Sequence, residues 1–451
     1  MRITIIGGGG YVGLITAVGF AQLGHDVVAV DINEKTVANL SAGTSHIYEE
    51  GLDAALKAAL AAGKLRFTTS TDDGVLGAQL VFVTVGTPPH ADGSPDLSAL
   101  RTATADLTRT VDPHTVVAIK STVPVGSLGE IQSTFAATAT PGVELVANPE
   151  FLSEGSALRD FHHPSRIVVG ATTERARALM RRLYAPFIEG GERLNPELDI
   201  TRNVPYIETG IEDAQIIKYA TNAFLAIRIS FVNEIAAICE QLGADVQNVT
   251  EGLGMDPRIG GGYLSPGIGF GGPCLEKDLL ALTYSAALSG YHANFLEAAL
   301  RRNEDQVTLI TNRARTLCDD NLSDKRIAVL GLAFKPGTND VRTSLSIRII
   351  DRLLNLGATV VAHDPVAMPE AASLLPSVTL ADTAYDAAKD ADLIMLLTDW
   401  PEYPQLDWLR MAQSTRGNRV FDGRNALDPG ACSAAGLDYY GVGRPHVAAV
   451  V

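Results

Sequence analysis

The apolar positions of the first 170 residues form short buried runs that alternate with helical patterns. Ile3–Ile6 precedes a helical pattern at Val12–Leu23, and Val27–Val30 is the next apolar run, ending at Asp31. Later short runs continue this order: Leu80–Val85, Val116–Ile119, Leu145–Val146 and Arg166–Val169. Strands that alternate with helices are typical of a parallel sheet covered by helices on both faces. We therefore predict an α/β domain here.

The pattern changes twice in the next 120 residues. Between Glu189 and Pro205 the chain is polar and contains two glycines and two prolines, which is typical of a domain boundary. From Ile211 to Leu242, apolar residues recur at steps of three and four, and Gly243 follows as a stop signal. This spacing predicts a helix of about 30 residues, which could join two domains or form a subunit interface.

Near Asp324 the α/β pattern starts again in the same order as at the N-terminus. Its members are Ile327–Leu330, a loop from Gly331, a helix at Ser344–Leu356, Thr359–His363 before Asp364, and Leu393–Leu397. The last of these runs corresponds to Val81–Val85 of the first half. We predict three domains: an N-terminal α/β domain at 1–204, a central long-helix domain at 205–322 and a C-terminal α/β domain at 323–451.

Composition and charge exclude several kinds of partner and site for this protein. The 451 residues carry a formal charge of −16, which argues against nucleic acid as the main partner. Four scattered cysteines form no metal-binding or disulfide spacing and fit a reducing compartment. The N-terminus lacks a signal-like pattern, and no run of about 18 apolar residues occurs. We expect a cytoplasmic protein without a metal site or a membrane partner.

A glycine motif follows the first predicted strand. Gly8, Gly10 and Gly13 fit G-x-G-x-x-G at a helix start, and Asp31 follows 18 residues later at the end of the second strand. These glycines allow a tight turn and close approach of a pyrophosphate, while the carboxylate suits a ribose hydroxyl and repels a 2′-phosphate. Four consecutive glycines could also be a flexible turn. The context favours a Rossmann domain that binds NAD.

Cys274 follows a glycine-rich segment at a second predicted helix start. The helix dipole and Lys277 would stabilise its thiolate, as a nucleophile requires. The alternative is an inert cysteine, which is the commoner role of a lone cysteine in a cytosolic protein. The glycines before it and the charged pair behind it favour the nucleophile.

Two further groups of polar residues follow predicted strands or lie on the long helix. Glu150 and Glu154 would share a face if their segment is helical, although solvated acids at a helix start are equally common. Lys218 and Asn222 share a helix face and could polarise one substrate oxygen, or they could form a surface pair.

Two loops contain the remaining candidate residues. The segment Lys120–Pro124 offers a hydroxyl near a nicotinamide. The segment Gly331–Gly337 keeps a cation but breaks the glycine motif, which predicts an anionic ligand other than a second dinucleotide.

Together these segments resemble the UDP-glucose/GDP-mannose dehydrogenase family over nearly the whole chain. The resemblance is carried in order by GGGYVG, KSTVPVG, NPEFLSEGSAL, IIKYATNAFLAIRISFVNE, GIGFGGPCLEKD and GLAFKPGTNDVR. It implies an NAD-binding Rossmann domain, a central helical dimerisation domain and a C-terminal Rossmann-like domain that holds a nucleotide sugar. It also implies oxidation of the sugar C6 alcohol to a carboxylate with two NAD⁺, through a cysteine thiohemiacetal and thioester.

The resemblance implies a role for each matching residue. The catalytic set is Cys274 as nucleophile, Glu154 as base, Asp278 on the catalytic water, Lys218 and Asn222 on the oxyanion, and Thr122 in the water network. The NAD set is Gly8, Gly10, Tyr11, Val12, Gly13, Asp31, Lys35, Thr87, Thr122, Glu154, Lys277 and Arg342. The substrate set is Glu150, Phe151, Leu152, Glu154, Lys218, Asn222, Arg258, Tyr263, Gly271 and Lys335. Arg258 would reach into the neighbouring subunit, giving a homodimer with a shared site.

The chain departs from the family pattern in places: Ser153 stands where Arg is usual and Glu276 where Pro is usual, and Asn339 and Leu345 replace common residues of the stretch DDVRESP. The resemblance implies UDP-glucose as the first substrate, and these departures leave dTDP-glucose, GDP-mannose or an N-acetylhexosamine nucleotide as alternatives. A two-electron hydroxy-acid dehydrogenase of the 6-phosphogluconate type would use a lysine on the long helix but would leave Cys274 and the third domain unexplained. A catalytically silent binding protein is the third possibility.

Overall fold

The computed structural model describes residues 1–137, 142–188 and 198–450. They form two compact units, one of Met1–Thr221 with Leu280–Tyr291 and the other of Asn222–Leu279 with His292–Val451. Part of the predicted boundary between Glu189 and Pro205, at 189–197, lies outside the described residues.

The first unit contains an eight-stranded sheet in the order β3-β2-β1-β4-β5-β6-β7-β8. Its strands are β1 (Arg2–Ile6), β2 (Asp26–Val30), β3 (Leu65–Thr68), β4 (Leu80–Val83), β5 (Val116–Ile119), β6 (Glu144–Ala147), β7 (Ile167–Ala171) and β8 (Tyr206–Thr209). Its helices are α1 (Tyr11–Gln22), α2 (Glu34–Ser41), α3 (Leu52–Ala61), α4 (Thr71–Val75), α5 (Ser98–Thr110), α6 (Ser127–Ala136), α7 (Ala157–His162) and α8 (Glu174–Ile188). Ile5 and Phe82 belong to one apolar core and Ile6 and Val83 to another, so both faces of the sheet are buried.

The last two strands of this sheet, β7 and β8, contradict the prediction of a parallel sheet, because both run opposite to the other six. β7 pairs antiparallel with β6, through Val146 with Ala171 and Ala147 with Gly170. A parallel return needs a crossover long enough to carry the chain back along the sheet. The connection at 148–166 is long enough for this, but it is loop and turn apart from the six residues of α7. It does not carry the chain back, and β7 begins at the end of the sheet where β6 finishes.

Four helices follow, and the division between the units falls within two of them. They are α9 (Ile211–Leu242), α10 (Val246–Gly254), α11 (Leu275–Leu288) and α12 (Asn294–Leu317). α9 confirms the predicted long helix at both ends. By length and composition alone it is apolar enough to cross a membrane, a test that core helices also pass. Lys218, Asn222 and Asn233 on α9 are buried within the protein, which favours a core helix.

The second unit contains a six-stranded sheet in the order β11-β10-β9-β12-β13-β14, and every pair in it is parallel. Its strands are β9 (Arg326–Leu330), β10 (Thr359–His363), β11 (Thr379–Leu380), β12 (Leu393–Leu396), β13 (Arg419–Asp422) and β14 (Asp438–Gly441). Its helices are α13 (Leu345–Asn355), α14 (Met368–Ala372), α15 (Ala384–Ala388), α16 (Trp408–Ser414) and α17 (Pro429–Ala434), with a 3₁₀ turn at Tyr403–Gln405. This order repeats that of β1 to β6 and is the Rossmann order, so the predicted repeat is confirmed.

Candidate functional site

The glycine loop between β1 and α1 is shaped by close backbone contacts. A Cβ atom on Gly13 would lie 2.1 Å from the Gly7 carbonyl oxygen, and one on Gly8 would lie 2.6 Å from Cβ of Ala29. The N-terminus of α1 begins after Gly10, and no side chain caps it. The loop therefore presents backbone amides at a helix N-terminus, as a pyrophosphate requires.

Asp31 lies beside this loop, immediately after β2. Its Oδ2 accepts the Gly9 N–H at 2.9 Å, and its Oδ1 accepts the Asn33 N–H at 3.0 Å. The carboxylate is thus held against the glycine loop, where a ribose would lie, and these residues fit NAD. Val12 is half-buried at the start of α1, whereas Lys35 lies on the exposed face of α2.

Further residues of the NAD set form two hydrogen-bonded groups around the loop. The Thr87 hydroxyl donates to the Thr122 carbonyl oxygen at 2.9 Å. The Tyr11 hydroxyl bonds to the carboxylate of Glu49, which also accepts the Gly155 N–H at 2.8 Å. Sequence reasoning missed Glu49, since it lies in a polar stretch without a periodic pattern or a motif.

Glu150 and Glu154 would share a face only if their segment were helical, and it is not. Their segment is an irregular loop and turn, α7 begins only at Ala157, and Gly155 has a φ of +82°. A left-handed glycine at this point interrupts any helix. The two carboxylates therefore have different surroundings.

Glu150 forms a buried ion pair with Lys218 of α9. Lys218 Nζ lies 2.9 Å from Glu150 Oε1, and the two side chains are only 4% and 8% exposed. Burial opposes ionisation of Glu150, but the charge and hydrogen bond of Lys218, with the Leu152 N–H and Lys120, hold its pKa below the usual value. Lys218 is therefore not part of a solvated surface pair.

A second buried lysine, Lys120, lies beside this pair and is another residue absent from the predicted site. Its Nζ donates to Asn148 Oδ1 at 3.2 Å, and the Tyr184 hydroxyl donates to the same oxygen at 2.7 Å. Burial lowers the pKa of Lys120 to about 8, although Glu150 opposes this shift. The signal for Lys120 is its place at the start of the KSTVP motif, from which only a hydroxyl near the nicotinamide is predicted.

In the second unit, the buried Asn222 and Asp278 form a cluster with the half-buried Lys277. Asp278 is 1% exposed, and its Oδ2 accepts the Asn222 side-chain amide at 2.6 Å. Lys277 Nζ lies 2.5 Å from Asp278 Oδ1. The carboxylate thus orients both donors.

Cys274 is the residue immediately before α11, the helix that carries Lys277 and Asp278. Its carbonyl oxygen accepts the Asp278 N–H at 2.9 Å, which makes Cys274 the residue before the first turn of α11. Cys274 is half-buried, whereas Cys239, Cys318 and Cys432 are buried. Burial raises the pKa of Cys318 to about 11 and that of Cys432 to about 12, so neither is a thiolate near neutral pH.

The loop after β9 differs from the glycine loop of the first unit. Asp364, which corresponds to Asp31, is fully buried, and its Oδ2 accepts the N–H groups of Leu332 and Ala333 at 2.7 and 3.0 Å and the Trp400 indole N–H at 3.0 Å. These bonds hold the loop after β9 against Asp364, which directly follows β10. This agrees with a ligand other than a second dinucleotide.

The remaining predicted residues have the following positions. Arg166 lies 3.7 Å from the ring centroid of Phe151, and the Leu152 N–H donates to Glu150 at 2.5 Å. Lys335 lies 5.5 Å from the ring centroid of Phe334, and Arg342 bonds to Asp340. The exposed positions are Arg258, which bonds to Asp256, and Tyr263, which has a φ of +59°.

Glu276, two residues after Cys274, makes the free energy of unfolding depend on pH, because its pKa is raised in the folded protein. Burial raises its pKa, Arg348 opposes the shift and Glu304 adds to it. A carboxyl group whose folded pKa is raised favours folding at low pH, and this contribution is lost as the pH rises towards the folded pKa. We expect Glu276→Gln to raise the apparent Tm at pH 8 by roughly 1–2 °C, with no gain below about pH 4. Thermal unfolding across pH, with exposed Glu251→Gln as control, checks this; a gain that persists at low pH would contradict it.

The comparisons with known proteins agree with this geometry. Models of the UDP-glucose/GDP-mannose dehydrogenase family match with the NAD binding domain at 1–188, the central domain at 212–305 and the UDP binding domain at 328–429. UDP-glucose 6-dehydrogenase TuaD of Bacillus subtilis is 38% identical over 99% of this chain and 94% of its own, and AglM of Haloferax volcanii is 41% identical over 97% and 99%. The structure of a UDP-glucose dehydrogenase from Pyrobaculum islandicum has a TM-score of 0.87 at 37% identity, covering 98% of each chain.

Proposed function

Since this chain belongs to the UDP-glucose/GDP-mannose dehydrogenase family and is an NAD-dependent dehydrogenase, we propose that it oxidises the C6 alcohol of UDP-glucose to a carboxylate in two steps. NAD⁺, which the glycine loop and Asp31 would hold, would supply the hydride acceptor for each step. The observation that carries the proposal is the half-buried Cys274 at the N-terminus of α11, where the helix dipole favours a thiolate.

In the proposed reaction, Cys274 holds the aldehyde formed by the first oxidation. Its thiolate adds to the aldehyde carbon, a C–S bond forms, and the carbonyl oxygen takes a proton to give a thiohemiacetal. In the second oxidation a hydride leaves the same carbon and the hydroxyl oxygen loses its proton, which leaves a thioester. Water then adds to the thioester carbon, the C–S bond breaks, and the thiolate is regenerated as the carboxylate forms.

The other residues of the catalytic set stabilise charge or move protons. Lys218 and Asn222, one helical turn apart on α9, would donate to the oxyanion, and each is oriented by a buried carboxylate. Glu154 would take the proton from the attacking water, with Asp278 and Thr122 holding that water. The NAD and substrate sets keep the roles assigned from the resemblance, and the three domains keep the boundaries 1–204, 205–322 and 323–451.

The experiment that tests the proposal counts the NADH formed per UDP-glucose consumed, with limiting sugar and excess NAD⁺. Two NADH per sugar supports the four-electron reaction. One NADH would indicate a two-electron dehydrogenase and remove the role of Cys274. Bound NAD⁺ without turnover on any sugar would favour a silent binding protein.

The same assay, repeated with other nucleotide sugars, tests the substrate. A structure from Pyrococcus horikoshii described as a UDP-D-ManNAc dehydrogenase has a TM-score of 0.85 at 28% identity. The panel therefore includes the N-acetylhexosamine nucleotides beside dTDP-glucose and GDP-mannose. Two NADH from another sugar alone would keep the chemistry and change the substrate.

We also propose that the protein is a cytoplasmic homodimer with a shared site. Phe224, Phe231 and Ile238 recur every seven residues on α9, and they are 59%, 50% and 46% exposed. Residues seven apart lie on one helix face, so this exposed apolar stripe suits the same stripe of a second copy.

We expect Phe231→Glu to weaken the dimer at least about 100-fold, because a carboxylate would be buried in an apolar interface. Activity should fall in parallel if Arg258 of one copy completes the site of the other. Light scattering across a dilution series measures the first effect and turnover the second. Leu374→Glu, at a similarly exposed leucine, is the control. An active monomer would contradict the shared site.

A further inference from the structure

The segment before Cys274 is held on two sides within the second unit. On one side, the buried Asn303 of α12 accepts the Phe270 N–H at 2.8 Å and donates to the Phe270 carbonyl oxygen at 2.9 Å. On the other side lies the stretch that leads into α13. The Thr343 hydroxyl donates to the Gly272 carbonyl oxygen at 2.7 Å, two residues before Cys274.

The contact with Thr343 involves its backbone carbonyl as well as its hydroxyl. A Cβ atom on Gly271 would lie 2.6 Å from the Thr343 carbonyl oxygen, and one on Gly272 would lie 2.5 Å from the Phe334 ring. The glycines of this segment thus allow the loop after β9 to lie directly against it. Lys335, which we assign to the nucleotide sugar, belongs to that same loop.

Thr343 itself has an unusual backbone. Its φ is +49°, in the left-handed region that a β-branched residue rarely adopts. Such a conformation persists only where the surrounding contacts determine it, and it is most common at functional sites. Here the conformation places both the hydroxyl and the carbonyl oxygen of Thr343 against Gly271 and Gly272.

We propose that Thr343 is a positioning residue for Cys274: its hydroxyl holds the Gly272 carbonyl, so that the nucleophile is in place when the aldehyde forms. This inference rests on the proposed function and deepens it. A displaced sulfur would add to the aldehyde more slowly, because covalent capture depends on a near-attack geometry. Part of the aldehyde would then leave the protein before the second oxidation.

The test measures this loss of aldehyde directly. Thr343→Val keeps the shape and removes the hydroxyl, Thr343→Gly removes the hydroxyl and suits the positive φ, and Thr343→Ser keeps the hydroxyl. Each variant is assayed for NADH per UDP-glucose consumed with semicarbazide present to trap free aldehyde. The rate at which iodoacetamide alkylates Cys274 is measured separately and does not depend on turnover.

We expect the parent and Thr343→Ser to form two NADH per sugar and no semicarbazone. Thr343→Val and Thr343→Gly should form fewer than two, release semicarbazone, lower kcat about tenfold and change the KM for UDP-glucose less than threefold. Their alkylation rates should differ at least about fivefold from that of the parent. If the valine variant fails to fold, the glycine variant still gives the answer, since glycine adopts this φ without strain.

Two results would overturn the proposal. One is two NADH per sugar and no semicarbazone in both hydroxyl-free variants. The other is aldehyde release in Thr343→Ser equal to that in Thr343→Val. A parent that forms one NADH would instead overturn the four-electron function, so the two failures are distinguishable.

Discussion

Cys274→Ser is expected to lower four-electron turnover at least about 1000-fold. A serine hydroxyl is almost entirely protonated near neutral pH, whereas a thiol at a helix N-terminus is readily ionised. The serine also cannot form the thioester through which the second oxidation is proposed to pass. We expect the variant to bind NAD⁺ and UDP-glucose, since the substitution removes no contact assigned to either. NADH per sugar and calorimetric titration of both ligands measure these effects.

The matched control is Cys318→Ala, at a cysteine that is 2% exposed and whose thiol has a pKa raised by burial to about 11. This variant should keep two NADH per sugar. Iodoacetamide should inactivate the parent and the control at similar rates, because Cys274 is the reactive thiol in both. Undiminished four-electron turnover by Cys274→Ser would remove the covalent mechanism.

The fold could be predicted from the sequence where one local pattern determines one element. The three- and four-residue spacing of α9 determined both of its ends, and the alternation of strands and helices predicted both Rossmann-like sheets. The direction of β7 could not be predicted in this way. It depends on the course of the connection at 148–166, and an apolar run such as Arg166–Val169 carries no information about direction.

The residues of the candidate site also fall into those that a local pattern predicts and those that it does not. Gly13 and Asp31 could be assigned to the candidate site because the chemistry proposed for them depends on local backbone geometry and motif spacing. Glu49 and Thr343 could not, since each acts through a contact with a residue more than 70 positions away along the chain. Hydrogen bonds of that kind leave no periodic pattern, and only the folded chain brings the partners together.

Lys218→Met is expected to destabilise the protein by about 3–5 kcal/mol, because it leaves the Glu150 carboxylate buried without its ion-pair partner. In the parent, the lowered pKa of Glu150 contributes stability above the ordinary carboxyl pKa, and this is lost as the pH falls through the folded pKa. In the variant, burial would raise that pKa instead, so its stability should decrease as the pH rises. At pH 8 the apparent Tm of Lys218→Met should lie roughly 10 °C below that of the parent. This difference should therefore narrow on acidification.

Turnover of Lys218→Met should also fall about 100- to 1000-fold, the usual effect of losing one oxyanion donor. The double variant Lys218→Met/Glu150→Gln separates the two effects. A neutral amide at position 150 removes the buried charge, so the double variant should regain most of the lost stability. Its turnover should stay as low as that of Lys218→Met, because the donor is still missing. If turnover returned together with stability, Lys218 would act only by holding Glu150, and the oxyanion role would have to be assigned to Asn222 alone.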